Sequence, residues 1–310
     1  MSNRRTFIRN AALGGSLLLA GSFPFSALAQ RKKTRLVILH TNDTHSHLEP
    51  FPANDKHFPG MGGIAARKAV IDDIRAKEEH VLLLDAGDIF QGTPYFNLYK
   101  GEAEIKAMSL LGYDCATMGN HDFDAGLDGF NTQLQHANFP FVTSNYDFEN
   151  TELKGKTKKY HIINKGDLKI GIIGIGVQLY GLVPKESYGK TRYMDPVKTA
   201  NETAKFLKNN KKCNFIICLS HLGYEYKTDK ISDLKLAALS ENIDLIIGGH
   251  SHTLLTEPTI IKNRQNKNII INQVGWGGVK LGHLIFEFDT KKTTNKLNSH
   301  TVISMKQTIC

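Results

Sequence analysis

The 310-residue chain has no uninterrupted apolar run of the ~20 residues that a membrane-spanning helix needs. Its nearest approach, over residues 11–21, is short and is broken by Gly14, Gly15 and Gly21, with Pro24 close behind. No Pro-rich, Ser-rich or low-complexity linker divides the rest, which favours one large α/β domain over two small ones. Only four cysteines occur, Cys115, Cys213, Cys218 and Cys310. Cys213 and Cys218 stand five apart on one apolar stretch, so as strand residues they face opposite sides, and no disulfide framework is expected. The formal charge is +9, yet aromatic residues do not interleave with the basic clusters. Those clusters are Arg31, Lys32, Lys33 and Arg35, then Lys291, Lys292, Lys296 and Lys306. They read as solvated ends rather than as a footprint for a nucleic acid polymer.

What stands at the start is a pair, Arg4 and Arg5, joined to the short apolar stretch, with Ala27-Leu28-Ala29 offering small residues around a cleavage point before Gln30. This reads as a twin-arginine export signal over 1–29, followed by a domain over 30–310 that is periplasmic or secreted. No Cys lies beside the cleavage point to take a lipid, so no membrane anchor is expected after processing. Loss of Arg4, Arg5 and Arg9, with no acids, takes the formal charge from +9 to +6. Export of this type carries folded proteins, which suits an enzyme that takes up metals before it leaves the cytoplasm.

The domain itself repeats one pattern five times. An apolar run of strand type stops, a Gly or small residue turns the chain, and Asp, Asn or His follows. The run over 36–39 empties into Thr41-Asn42-Asp43-Thr44-His45, where Asp43 and His45 alternate and, if extended, project to one side. The run over 81–84 delivers Asp85-Ala86-Gly87-Asp88, and Gly87 permits the sharp turn that brings the Asp88 carboxylate inward. Cys115-Ala116-Thr117-Met118 leads to Gly119-Asn120-His121-Asp122-Phe123-Asp124. The runs over 215–219 and 243–247 release Ser220-His221 and Gly248-Gly249-His250-Ser251-His252.

Further strands are expected over 141–145 and 169–175, and helices through Ala65, Val70 and Ile74, through Ile105, Met108 and Leu111, and over 196–207. Hairpin-like strands over 259–262, 269–273 and 282–288 end the series as a meander. Open α/β sheets bind ligands outside the carboxyl ends of their strands, where all five polar clusters fall. Helix-linked strands with a final meander point to two facing mixed sheets with helices outside.

Asp43, His45, Asp88, Asn120, His221, His250 and His252 form a set of hard oxygens and imidazoles without thiolates, suited to zinc or manganese and unlike a structural zinc site. Seven ligands exceed one tetrahedral ion. Two divalent ions sharing Asp88 fit the number and would stand ~3.5–4 Å apart, the spacing that stabilises in-line displacement at phosphorus. His121, kept off the metal and held through its other nitrogen by Asp124, suits the charge that develops on a phosphoryl group or its leaving oxygen.

Taken in order, D-x-H, G-D-x-x-Q-G-T-P, G-N-H-D-F-D, a lone S-H and G-H-S-H resemble the catalytic domain of the secreted 5′-nucleotidase branch of calcineurin-like metallophosphoesterases, from about Leu36 to Phe288. The resemblance implies a four-layer α/β/β/α sandwich. It also implies that Asp43, His45 and His252 hold one ion, that Asn120, His221 and His250 hold the second with Asp88 bridging, and that His121 is the catalytic imidazole oriented by Asp124. In the resembled nucleotidases a C-terminal nucleotide-binding domain supplies base-stacking aromatics and phosphate-binding arginines. That domain is not expected here, and no arginine adjoins any of the five clusters.

The expected activity is therefore 5′-nucleotidase-like hydrolysis of nucleotides or related phosphate esters, with a separate protein resembling the nucleotide-binding domain as a possible partner. Two alternatives stand beside it. One is a thiosulfohydrolase-like relative, since such enzymes share the catalytic domain and the export route. The other is a metal-binding accessory protein without turnover, which would have no use for His121 and Asp124.

Overall fold

Runs such as Leu36-Val37-Ile38-Leu39 and Phe215-Ile216-Ile217-Cys218-Leu219 are apolar at every position because both faces of the strands they form are covered. The computed structural model describes residues 33–289 and 294–306. The export-signal stretch, Arg31, Lys32, Lys291, Lys292 and Cys310 lie outside the described residues.

In chain order the elements are β1 (Thr34–Thr41), α1 (Ile64–Lys77), β2 (Val81–Asp85), α2 (Pro94–Tyr99), α3 (Glu102–Leu111), β3 (Cys115–Ala116), α4 (Gly126–Gln133), β4 (Tyr146–Asp147), β5 (Tyr160–Lys165), β6 (Leu168–Gly176), α5 (Lys185–Tyr188), β7 (Arg192–Tyr193), α6 (Pro196–Asn209), β8 (Phe215–His221), α7 (Asp233–Leu239), β9 (Leu245–Gly248), β10 (Thr259–Lys262), β11 (Asn268–Asn272), β12 (Lys280–Asp289) and β13 (Thr294–Ser304). One sheet runs β13-β12-β1-β2-β3 and the other β10-β11-β9-β8-β6-β5, while β4 and β7 form a small separate pair. β1, β2 and β3 are mutually parallel, as are β6, β8, β9 and β11, whereas the pairs β1/β12, β12/β13, β10/β11 and β5/β6 are antiparallel.

Three apolar layers hold the sandwich together. Between the sheets, Leu36, Ile38, Leu82 and Leu84 meet Ile170, Ile172, Phe215, Ile217 and Leu245. The opposite face of the first sheet, with Val37, Leu39 and Leu83, is covered by Ile71 of α1, Ile105 and Met108 of α3, and Phe130 of α4. The opposite face of the second, with Ile173, Ile216 and Ile246, is covered by Ala200 and Leu207 of α6 and Leu236 of α7. Each such side chain contributes ~1.5–3 kcal/mol on burial, which makes the four-layer α/β/β/α order the stable one. Local signals agree with it. Pro196 occupies the first turn of α6 and Asp195 accepts the Lys198 N–H at 2.7 Å.

Several sequence expectations need correction. Residues 141–145 form no strand: Phe141 bridges Ala116 and Val142 bridges Lys158 singly, as the segment passes from one sheet to the other. β3 stops at Ala116. The closing strands are not one meander, because β10 and β11 edge the second sheet whereas β12 and β13 edge the first. Cys213 lies before β8, so it does not alternate with Cys218, and both are buried in the α6/α7 layer. Cys115, Cys213 and Cys218 are free.

One buried polar contact ties the two sheets. His40 of β1 is fully buried, opposite Gly282, and Asn272 of β11 donates its amide to His40 Nε2 at 3.2 Å. Burial pushes its pKa down to about 3. The unfolded chain binds a proton at its ordinary value near 6.5 and the folded chain does not. The associated stability is therefore present above about pH 6.5 and is lost as pH falls towards 3. Relative to His40→Gln, the unfolding free energy of the wild type should decline through that window by on the order of 4 kcal/mol, measured by denaturant titration at several pH values. Parallel curves for the two proteins would refute it.

Candidate metal centre

The polar clusters gather where the parallel strands end. Backbone bonds zip the segment after β1 to the segment after β2: Asp43 N–H donates to Gly87 O at 2.9 Å, His45 N–H to Asp88 O at 3.0 Å and Ser46 N–H to Ile89 O at 2.8 Å. Asp43 and His45 are not extended, contrary to the alternation argument. Their φ values are 49° and 47°, with 59° at Ser46, 57° at Asp88, 74° at His250 and 52° at His252. Five of the seven candidate ligands are thus left-handed non-glycine residues, a strained backbone that persists where surrounding bonds over-determine it and that concentrates at functional sites. Gly119 is required by close approach, since a Cβ there would collide with Asp88 and stand 2.6 Å from the His221 ring.

Two groups result. Asp43, His45 and His252 offer ligand atoms within 4.8 Å of one another, and so do Asp88, His221 and His250. Asp88 joins them, its Oδ2 lying 3.0 Å from His221 Nε2 and 3.8 Å from His45 Nε2. His45 Nε2 and His252 Nε2 face each other at 3.1 Å. The buried Asn120 Oδ1 and His250 Nδ1 make no hydrogen bond. Orphaned buried acceptors of this kind need an explanation, and a cation with mixed oxygen and nitrogen ligands supplies one. The donor set therefore fits divalent metal.

Supporting bonds set the orientation of the ligands. His221 Nδ1 meets Ala86 O at 2.7 Å, which leaves Nε2 for the centre. Asp43 accepts the His250 N–H at 2.9 Å and an amide hydrogen of Asn42 at 2.6 Å. Burial pushes the Asp88 carboxyl up, but His221 and His45 outweigh it and hold it below the usual range. Burial also pushes His221 down, and Asp88 and Asp43 overcome this to raise it to about 10.

His121 stands apart from this set. Its Nδ1 pairs with Asp124 Oδ2 at 2.8 Å, a bond that raises its pKa against partial burial, and its ring lies 5.3 Å from that of His45. Its backbone N–H donates to Asp88 Oδ1 at 2.8 Å, fixing it to the centre.

Several residues that shape the site were not singled out from sequence. Asp122 accepts four backbone N–H bonds, from Asp88, Ile89, Phe90 and Gly119, and so clamps the β2 and β3 loops together. Burial and the Asp88 charge push its carboxyl up to about 7, and the Gly119 and Phe90 N–H bonds pull against them. Glu104 of α3, also buried, binds Ser46 Oγ behind His45. Only position within the G-N-H-D motif hinted at Asp122.

Comparison with known proteins accords with this geometry. Residues 36–254 match the family model of the calcineurin-like phosphoesterases. The chain is 34% identical to the trifunctional nucleotide phosphoesterase protein YfkN of Bacillus subtilis, with 83% of this chain and 18% of that one covered. It is 33% identical to a snake venom 5′-nucleotidase of Gloydius brevicauda, covering 94% of this chain and 52% of that one. The crystal structure of a 5′-nucleotidase precursor from Thermus thermophilus superposes with a TM-score of 0.79 at 34% identity, over 88% of this chain and 55% of the other. The chain therefore spans about half the length or less of these relatives. It belongs to the calcineurin-like phosphoesterase family, and within it resembles the catalytic domain of the 5′-nucleotidases.

Proposed function

We propose that the chain is an exported, dinuclear metal-dependent phosphoesterase that hydrolyses nucleotides or closely related phosphate monoesters. Asp43, His45 and His252 would hold one divalent ion, zinc or manganese, and Asn120, His221 and His250 the second, with Asp88 shared between the two groups. When bound, such ions polarise phosphoryl oxygens and activate water for in-line attack. The chain's own residues do the rest. The left-handed turns at Asp43, Asp88 and His250 fix the ligands before substrate arrives, and His121, held by Asp124, meets the charge on the leaving oxygen. The observation that carries this reading is the meeting of two ligand groups at Asp88 Oδ2 with the His121–Asp124 pair beside them but outside the ligand set. A protein that only stored metal would have no use for that pair.

Residues 1–29 act in this reading as the twin-arginine signal. No helix among the described residues is long and apolar enough to cross a membrane. Base-selecting contacts come from a separate protein or domain docked over the metal face, in keeping with the lack of arginine beside the clusters. The purified chain, loaded with manganese, should hydrolyse activated aryl phosphates and act weakly and without base preference on nucleoside monophosphates. Strong base-selective hydrolysis by the chain alone would remove the need for a docked partner. No turnover of any phosphate ester would overturn the enzymatic reading.

A further inference from the structure

His221 and His45 each rest a ring nitrogen against a backbone carbonyl, Ala86 O at 2.7 Å and Phe90 O at 3.3 Å. His252 is supported differently. Its side chain is 40% exposed, and its ring lies nearly parallel to that of Trp276, at 14° with centroids 5.8 Å apart. Trp276 is the only tryptophan of the chain. Its indole is hemmed edge-on by His47 at 5.2 Å, Phe51 at 5.7 Å and Phe58 at 6.1 Å, and His47 stacks in turn on Phe51 at 4.5 Å.

The loop carrying Trp276 is bonded to the segments that bear the first ligand group. Gly275 N–H donates to Thr253 O at 3.0 Å, Gly277 N–H donates to Asp43 O at 2.8 Å, and the Asn42 amide donates to Gly275 O at 2.6 Å. Gly275 and Gly277, with φ of 79° and 65°, let the chain turn on both sides of the indole. The indole is thus rigid with respect to Asp43, and the imidazole leans on it.

We propose that Trp276 is a positioning residue for the first ion. Its face aims His252 at the ion shared with Asp43 and His45, doing by stacking what a carbonyl does for His221. The inference rests on the assignment of those three ligands made above. It also makes the tryptophan a reporter, because a dication on the stacked imidazole places charge against the indole.

The test uses the full chain, stripped of metal and titrated with manganese, with bound ions counted and tryptophan emission followed. Wild type should bind two ions. Trp276→Ala should bind one of them about tenfold more weakly and the other unchanged, and Trp276→Phe should recover most of the loss. Emission of the wild type should change with the ion that His252→Ala removes. A Trp276→Ala protein that binds both ions as tightly as wild type overturns the proposal, as does equal weakening of both ions or a Phe variant no better than Ala. Should the Ala variant fail to fold, emission unmoved by that ion overturns it. A wild type that binds fewer than two ions sinks the ligand assignment itself, and this inference with it.

Discussion

His121→Ala should retain both ions and lose on the order of 10²–10⁴ in kcat. The two halves of that expectation have separate structural causes. Metal content is indifferent to the substitution because His121 contributes no atom to either ligand group, and its one bond to the centre, from the backbone N–H to Asp88 Oδ1, survives in alanine. The rate is not indifferent, because an imidazole held at Nδ1 by Asp124 presents its other nitrogen with a fixed orientation, and a group that acts only as charge develops affects kcat rather than binding. Elemental analysis and phosphate release on one preparation decide the matter. A variant that came off the column without metal would show that binding and chemistry are not divided in this way.

The sequence was most informative where burial left the chain no choice. β1, β2, β8 and β9 are covered on both faces, so their runs are apolar at every position and could be read directly. β5 and β13 were missed for the opposite reason: both are sheet edges, and Tyr160–Lys165 is only half-buried and carries His161, Asn164 and Lys165. The seven candidate ligands were legible as a list because each stands at or shortly after the end of an apolar run. Their conformation was not. The φ of Asp43 depends on bonds to Gly87 and Gly277, far along the chain, and local alternation cannot show such partners. The same holds for Asp122. Between His121 and Phe123 it looks like one more polar turn residue, and its four N–H donors become visible only once the β2 and β3 loops are side by side.

Asp88→Asn should bind manganese far more weakly than Asn120→Ala, although the first change is isosteric and the second removes a candidate ligand. A bridging carboxylate offsets the repulsion of two dications and a neutral amide does not, so the loss falls on both ions. Hydrogen bonding makes the substitution harsher still. The His121 N–H points at Oδ1 and needs an acceptor, so the asparagine carbonyl takes that place and its NH2 is turned to the Oδ2 position. There it lies between His221 Nε2 at 3.0 Å and His45 Nε2 at 3.8 Å, a donor where both ligand groups require a lone pair. On the proposed assignment, Asn120→Ala takes away one neutral oxygen from around the second ion, an oxygen with no hydrogen-bond partner in the protein, and leaves the Asp43, His45 and His252 group whole for the first. Counting ions per chain against free manganese for both variants separates the cases: Asn120→Ala should hold its first ion at concentrations where Asp88→Asn holds neither. Equal losses would show that Asp88 serves one ion alone.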